Sequence, residues 1–135
     1  MVRVLTFGTF DKLHPGHEFH LHTAKEHGDE LYVVIARDDT VTSLKGKAPT
    51  QTQEERRVAV AALEYVDHAV IGNEGDKLDI VVEIKPDIIC LGYDQQSFTE
   101  QLQERLAERG LTPSIVKFTD SFHPERYKSS KIDPI

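Results

Sequence analysis

Five short and almost continuous apolar runs dominate the sequence, and helical patterns lie between them. The runs occupy residues 2–7, 31–36, 69–71, 88–91 and 115–118. Strands buried on both faces have this composition, whereas strands with one face in water alternate apolar and polar residues. Because such strands alternate with helices, the sequence predicts an α/β fold with one doubly wound parallel sheet of about five strands.

Four helical patterns connect the runs, at residues 16–27, 53–66, 76–84 and 99–109. The second has the clearest start signal, because Thr52 and Glu55 have the spacing of a capping box. The polar segment before it, which carries Lys45 and Lys47, is predicted to be a loop.

Length and composition limit the class of protein. A chain of 135 residues suffices for one domain with one core, so we expect a single domain over residues 1–135, in which the polar tail 119–135 carries a short terminal helix. A net charge of −7 argues against a nucleic-acid partner, which would need clustered Lys and Arg. A single cysteine, Cys90, excludes an internal disulfide. With no signal peptide and no apolar stretch of about 20 residues, we expect a cytoplasmic protein without a membrane partner.

The segment after the first strand reads Gly-Thr-Phe-Asp-Lys-Leu-His-Pro-Gly-His, residues 8–17. A helix start there supplies backbone N–H groups and the positive end of the helix dipole, which favour an anion. Gly8 lets the backbone approach a phosphate closely, and Pro15 suits a first helical position. His14 and His17 add donors that strengthen as charge builds on a phosphate in transfer. The segment therefore predicts a site for a nucleoside triphosphate.

This G-T-F-D-x-x-H-x-G-H pattern resembles the signature of the nucleotidyltransferase superfamily, which includes cytidylyltransferases and small adenylyltransferases. The resemblance covers nearly the whole chain and implies a Rossmann-like fold. It also implies transfer of a nucleoside monophosphate to a phosphate-bearing acceptor, by in-line attack on the α-phosphate. His14 and His17 would contact the nucleotide phosphates, together with the turn at Thr9 and Phe10. For Asp11, a structural role in the turn and a role at the metal or acceptor both stay open.

Cationic residues follow at three further places where parallel strands or helices end or begin. Arg37 follows the second strand at the ligand edge and is a candidate for acceptor binding. In the loop after it, the resemblance places Lys45 against phosphate. Arg56 and Arg57 open the next helix against the preference of its dipole, which suggests an anionic partner. Similar family segments contribute an arginine to substrate phosphate, and we favour Arg56. Lys45 and Arg56 are thus candidates for both catalysis and acceptor binding.

The segment after the fourth strand carries the best indication of the substrates. It reads Leu-Gly-Tyr-Asp-Gln-Gln, where Gly92 gives backbone access and Asp94 and Gln95 suit contacts to a base edge or ribose hydroxyls. This segment, with E-R-G-L after the next helix, resembles the archaeal-type FAD synthases, which transfer AMP from ATP to FMN. In glycerol-3-phosphate cytidylyltransferases the matching segment reads more like G-D-D-W, and this chain has no tryptophan.

The tail contains Tyr-Lys-Ser-Ser-Lys-Ile, residues 127–132, which resembles the family's [ST]-[ST]-x-[IL] element. The resemblance implies that the hydroxyls of Ser129 and Ser130 approach the nucleotide phosphates, although both residues could simply cap a short helix. Arg126 is the nearest candidate for the arginine that precedes this element in the family, but the usual glycine is absent.

Three more histidines, His20, His22 and His27, share a predicted helix with His17. His17 and His20 have the spacing of a metal pair, but no acidic or thiol ligand is placed to complete it. We therefore predict solvent-exposed helix histidines and no protein metal ligands. Mg²⁺ is expected to arrive with the nucleoside triphosphate, because it keeps several waters and takes few protein ligands.

The function that the resemblance implies is the formation of FAD from ATP and FMN. One alternative is a CTP-dependent cytidylyltransferase that acts on glycerol 3-phosphate or another small phosphorylated alcohol. A second is a nucleotide-binding sensor without turnover, which the full set of histidines and cations argues against. The chain has neither a G-x-G-x-x-G after the first strand nor a P-loop. A homodimer is expected, because relatives often form one and a small sheet has open edges.

Overall fold

The computed structural model describes residues 1–73, 78–91 and 96–117, and for residues 44, 45, 96–101 and 117 it describes the backbone. Five parallel strands form one sheet in the order β3-β2-β1-β4-β5. The strands are β1 Arg3–Gly8, β2 Glu30–Ile35, β3 His68–Ile71, β4 Ile88–Leu91 and β5 Ser114–Lys117. The helices are α1 Pro15–Lys25, α2 Asp38–Lys45, α3 Gln53–Ala61, α4 Leu78–Ile84 and α5 Gln96–Glu108. The predicted doubly wound parallel sheet is confirmed.

Each strand begins and ends within one residue of its predicted bounds, but the helices differ more. Helix α3 ends at Ala61 rather than at residue 66. Its start is as predicted, since the Glu55 N–H donates to Thr52 Oγ1 at 3.1 Å and the Thr52 N–H donates to Glu55 Oε1 at 2.9 Å. Among the described helices, none is long and apolar enough to cross a membrane. The terminal helix predicted within residues 119–135 lies outside the described residues.

Helix α2 is a correction, because the sequence predicted no helix between β2 and α3 and placed Lys45 in a loop. Its Thr, Val and Ser residues have low helix propensity, so the segment does not show a helical sequence pattern. Tertiary contacts compensate for the low helix propensity, since Val41 is buried. Asp38 and Asp39 in the first turn suit the helix dipole, and Gly46 ends the helix in the left-handed conformation at φ 80°.

Helices cover both faces of the sheet, and two apolar clusters result. Neighbouring side chains of a strand point to opposite faces, so Val4 and Leu5 belong to different clusters. Val4 packs with side chains of α1 and α3, including Leu21 and Val60. Leu5 packs with side chains of α4 and α5, including Leu102. The sheet is therefore buried on both sides, as its continuous apolar runs predicted.

The strand order places a topological switch point between β1 and β4. The chain runs outward from β1 through β2 to β3 and then returns to β4 on the other side of β1. In open parallel sheets, ligands bind in the crevice beyond the carboxyl ends of the two strands at such a point. The segment from Gly8 to His17 leaves β1 at this crevice.

Candidate active site

His14 and His17 form a stacked pair at the start of α1. Their ring centroids are 3.7 Å apart and their planes differ by 23°. His14 is exposed and is the N-cap of the helix, because its Nδ1 accepts a hydrogen bond from the Gly16 N–H at 3.1 Å. Pro15 occupies the first turn, as predicted. Since Nδ1 of His14 is an acceptor, neutral His14 carries its proton on Nε2 and presents that N–H as a donor.

The Phe10 ring supports this pair from the protein interior. It is 4% exposed, and it meets the His17 ring edge to face with centroids 5.5 Å apart. A Cβ on Gly8 would lie 2.5 Å from the Phe10 ring. The sequence analysis explained Gly8 by the close approach of a phosphate. In the structure, Gly8 is also required for packing, because a side chain there would collide with the Phe10 ring. Because the Phe10 side chain is in the core, only its backbone remains for the nucleotide role predicted for it.

The turn after β1 is strained and is held by the segment before α3. Phe10 and Lys12 have φ angles of 53° and 54°, which residues other than glycine rarely adopt. The two carboxylate oxygens of Asp11 accept the backbone N–H groups of Thr50 and Gln51, at 2.7 and 2.8 Å. The Lys12 N–H donates to the Gln51 side chain at 2.8 Å. Of the two roles that the sequence left open for Asp11, this geometry favours the structural one.

The carboxyl group of Asp11 has a lowered pKa. Partial burial by itself raises the pKa of this group. Hydrogen bonds from Thr50 and Gln51 and the charge of Arg56 act in the opposite direction and prevail. The ionised form is therefore the one that holds the turn.

The side chain of Arg56 is fully buried and hydrogen-bonds to several segments around the site. Its Nη1 donates to the carbonyl of Thr9 at 2.9 Å, its Nε to the carbonyl of Gln51 at 3.1 Å, and its Nη2 to Asp38 Oδ1 at 2.7 Å. The guanidinium thereby joins the turn after β1 to the starts of α2 and α3. The anionic partner that the sequence suggested for this arginine is present within the chain, as Asp38.

Arg37 lies at the carboxyl end of the sheet, where β2 and β3 end. Arg37 follows β2, and its Nη1 donates to the carbonyl of Gly72, next to the end of β3, at 3.3 Å. Lys45 is the last residue of α2, and its side chain lies outside the described part. The remaining predicted site residues also lie outside it: Gly92, Asp94, Gln95, Arg126, Ser129 and Ser130.

The prediction that His20 is solvent-exposed is wrong. His20 is half-buried, its Nε2 is 2.7 Å from Thr6 Oγ1, and its ring contacts Phe10 at a centroid distance of 6.3 Å. The sequence did carry a signal, because Thr6 is a polar residue between apolar neighbours in the first apolar run. A buried hydroxyl needs hydrogen-bond partners, and a histidine on the helix that covers the strand is a suitable one.

The other two histidines of this group are half-buried as well. The His22 ring meets the Tyr65 ring edge to face at 5.2 Å, and His27 Nδ1 lies 2.9 Å from the carbonyl of Thr23. Both contacts are local to α1 and its neighbours, away from the stacked pair.

No group of three or more His, Cys, Asp or Glu side chains in the described ranges could hold a metal ion. Cys90 is buried, and burial raises the pKa of its thiol to about 12, so the thiolate that binds metals is not formed at neutral pH. Asp11 already accepts two backbone hydrogen bonds.

This chain is similar to several known proteins. Residues 5–133 match the model of a family described as cytidylyltransferase-like. A FAD synthase of Methanosarcina barkeri is 49% identical over 117 residues, which are 87% of this chain and 83% of that protein. A solved structure described as the lipopolysaccharide core biosynthesis protein of Thermoplasma volcanium superposes with a TM-score of 0.85 at 42% identity, over 91% of this chain and 99% of that one. A protein of unknown function from Archaeoglobus fulgidus shares the fold, with a TM-score of 0.71 at 15% identity over 87% of this chain and 89% of that one.

Proposed function

Because this chain belongs to the cytidylyltransferase-like family of nucleotidyltransferases, we propose that it transfers AMP from ATP to FMN and releases FAD and pyrophosphate. One structural observation carries the proposal. The stacked imidazoles of His14 and His17 stand at a helix start beyond the carboxyl end of β1, beside the switch point of the sheet. The choice of AMP and FMN is supported by the 49% identity to a FAD synthase.

The reaction needs little covalent work from the protein. A phosphate oxygen of FMN attacks the α-phosphorus of ATP, opposite the bond to the β-phosphate. That bond breaks, its electron pair leaves with pyrophosphate, and the new bond completes the diphosphate of FAD. Catalysis in such a step comes from positioning and from the stabilisation of charge on the transferring group.

The two histidines supply donors for that charge. The His14 N-cap bond orients its ring, and the stack with His17 keeps both rings side by side. Donors held in place before the reaction stabilise charge in the transition state without a reorganisation cost. The start of α1 adds the positive end of its dipole, which favours the α- and β-phosphates.

Arg56 and Asp11 support the site rather than bind substrate in this proposal. Arg56 is buried with three partners in its own chain, and Asp11 holds the strained turn. Arg37 and Lys45 remain the candidates for the phosphate of the acceptor. Arg126 is assigned to substrate binding as well. The base, the ribose and the triphosphate are assigned to the residues predicted from the sequence: Thr9, Gly92, Asp94, Gln95, Ser129 and Ser130.

The divalent cation in this proposal is Mg²⁺ bound to ATP. When bound, it neutralises part of the charge on the leaving phosphates, and its other ligands are mainly water. The donors that act on the α-phosphate are then the imidazoles of His14 and His17.

Pyrophosphate release over a grid of substrates tests the proposal. ATP or CTP is combined with FMN, glycerol 3-phosphate or phosphocholine, and the nucleotide product is identified by mass spectrometry. We expect pyrophosphate and FAD from ATP with FMN, and quenching of FMN fluorescence on binding. Release from CTP with glycerol 3-phosphate would instead indicate a cytidylyltransferase, and nucleotide binding without any release would indicate a sensor.

The expected homodimer remains a prediction. The sheet ends in two edge strands, β3 and β5, that could pair or pack with a second copy. Light scattering of the purified protein measures its mass in solution and separates a dimer from the 15.3 kDa monomer.

A further inference from the structure

His20 connects the helix of the site histidines to the two strands beside the switch point. Its Nε2 is 2.7 Å from the hydroxyl of Thr6 on β1, and that hydroxyl donates to the carbonyl of Cys90 on β4 at 2.8 Å. Thr6 is fully buried, so water does not compete for these bonds. Three elements, α1, β1 and β4, therefore share one chain of hydrogen bonds.

The direction of these bonds determines where the proton on His20 lies. A threonine hydroxyl has one hydrogen, and here it points to the Cys90 carbonyl. The Thr6 oxygen can then only accept from His20, which requires a proton on Nε2 of the ring. His20 is thus the donor to Thr6. A side chain without an N–H at this position would leave the buried Thr6 hydroxyl with one hydrogen-bond partner fewer.

Ring contacts continue from His20 to the exposed end of the site. Its ring lies against Phe10, the Phe10 ring meets His17 edge to face, and His17 stacks on His14. A continuous path of side chains therefore runs from buried Thr6 to exposed His14. Any rotation of α1 about its axis would move the anchor and the two site imidazoles together.

We propose that His20 is a positioning residue of the nucleotide site, which sets the orientation of His14 and His17 through its bond to Thr6 and its contact with Phe10. The inference rests on the proposed function for its catalytic consequence. His20 itself takes no part in the transfer. Its effect follows from geometry, because displacement of catalytic groups by about 1 Å can reduce turnover about 100-fold.

Three variants of α1 test the proposal. His20→Leu keeps apolar bulk but loses the donor, whereas His20→Gln places an amide N–H where Nε2–H stood. His22→Leu is the matched control, because it removes a ring that contacts Tyr65 on the same helix and leaves the path to Thr6 intact. We expect kcat with ATP and FMN to fall about 10- to 100-fold in His20→Leu, with a smaller change in KM. His20→Gln should recover most of the loss, and His22→Leu should retain wild-type turnover.

Nuclear magnetic resonance of the imidazole groups gives a readout that needs no substrate. In the unliganded protein, ¹⁵N shifts should show the proton of His20 on Nε2. Thr6→Val, which removes the hydroxyl with little change of shape, should shift the ring signals of His14 and His17, and His22→Leu should leave them in place. Thr6→Val also replaces His20→Leu if that variant does not fold.

The outcomes separate this inference from the function on which it rests. If wild-type protein releases no pyrophosphate from any pair of substrates, the proposed function fails, while the shifts of the ring signals still decide the positioning role. If His20→Leu turns over at the rate of His22→Leu, or if Thr6→Val leaves the His14 and His17 signals unchanged, the positioning role is overturned.

Discussion

The two site histidines are oriented by different means. His14 is tied to the backbone through its Nδ1, and His17 is held between the His14 and Phe10 rings. Both imidazoles are therefore in place before a ligand arrives. Preorganised donors of this kind are the main means by which an enzyme stabilises a charged transition state.

His17→Ala should lower turnover with ATP and FMN by about 10²- to 10³-fold, because it removes a donor to the transferring phosphate. Steady-state kinetics of pyrophosphate release measures the change. The half-buried ring also packs on Phe10, so the folded fraction of the variant must be checked by circular dichroism. Full activity in a folded His17→Ala protein would contradict the assignment.

Arg56→Lys should destabilise the protein by about 3 kcal/mol, because a lysine cannot reach three acceptors and leaves buried carbonyl groups without a donor. Urea unfolding measures the loss. Arg57→Lys is the control, since Arg57 pairs with Glu54 at the surface, and it should leave the urea midpoint close to that of the wild type. A rise in KM for substrate without any loss of stability in Arg56→Lys would instead favour direct phosphate binding.

At the scale of elements, the strained turn after β1 depends on the segment that leads into α3. Phe10 and Lys12 keep positive φ angles because hydrogen bonds of Asp11, Gln51 and Arg56 connect this turn to the segment before α3 and to the start of α3. Such strain persists only where the surrounding structure enforces it. The segment before α3 is therefore part of the site although it contains none of the proposed phosphate donors.

Asp11→Asn should destabilise the protein at neutral pH, and the deficit should vanish in acid. Because the pKa of Asp11 is lowered by folding, its contribution is complete above the ordinary aspartate pKa of about 4 and is lost as the pH falls from there towards the lowered value. Urea unfolding of both proteins between pH 7 and pH 2.5 measures the difference. A deficit that stays constant over this range, or that is absent at pH 7, would contradict the role of the carboxylate.

At the scale of the whole molecule, one sheet separates two apolar clusters that share its strands. Val4 and Leu5 are adjacent in β1 but pack on opposite faces. Loss of packing on either face therefore weakens the strands that support the other face. We expect the described fold to unfold as one cooperative unit.

Leu21→Ala and Leu102→Ala test this cooperativity from the two faces. Both side chains are almost fully buried, and each change should cost about 2–5 kcal/mol. Urea unfolding followed by circular dichroism and by tyrosine fluorescence should show a single coincident transition for each variant. Val58→Ala is the control, because Val58 is 52% exposed and its loss should cost no more than about 0.5 kcal/mol. A variant that unfolds in two separate steps would show that the faces are independent.

Local patterns in the chain were enough for much of the fold. Apolar runs located all five strands, and the capping box located the start of α3. Helix α2 escaped prediction because its residues favour helix weakly and its stability comes from the burial of Val41. The roles of Asp11 and Arg56 could not be predicted either, because most of their hydrogen-bond partners lie 18 to 47 residues away in the sequence. Which arginine of the pair at the start of α3 faces the interior also depends on helical phase.

The sequence by itself determined the architecture and the place of the candidate site, because strand burial, helix starts and the histidine motif are properties of short segments. Only the tertiary structure decided which polar side chains support that site. A hydrogen bond such as that of His20 to Thr6, or of Arg56 to Thr9, depends on the distance between elements that the sequence places far apart. Packing of the helices on the sheet sets those distances, and they fix which donor meets which acceptor.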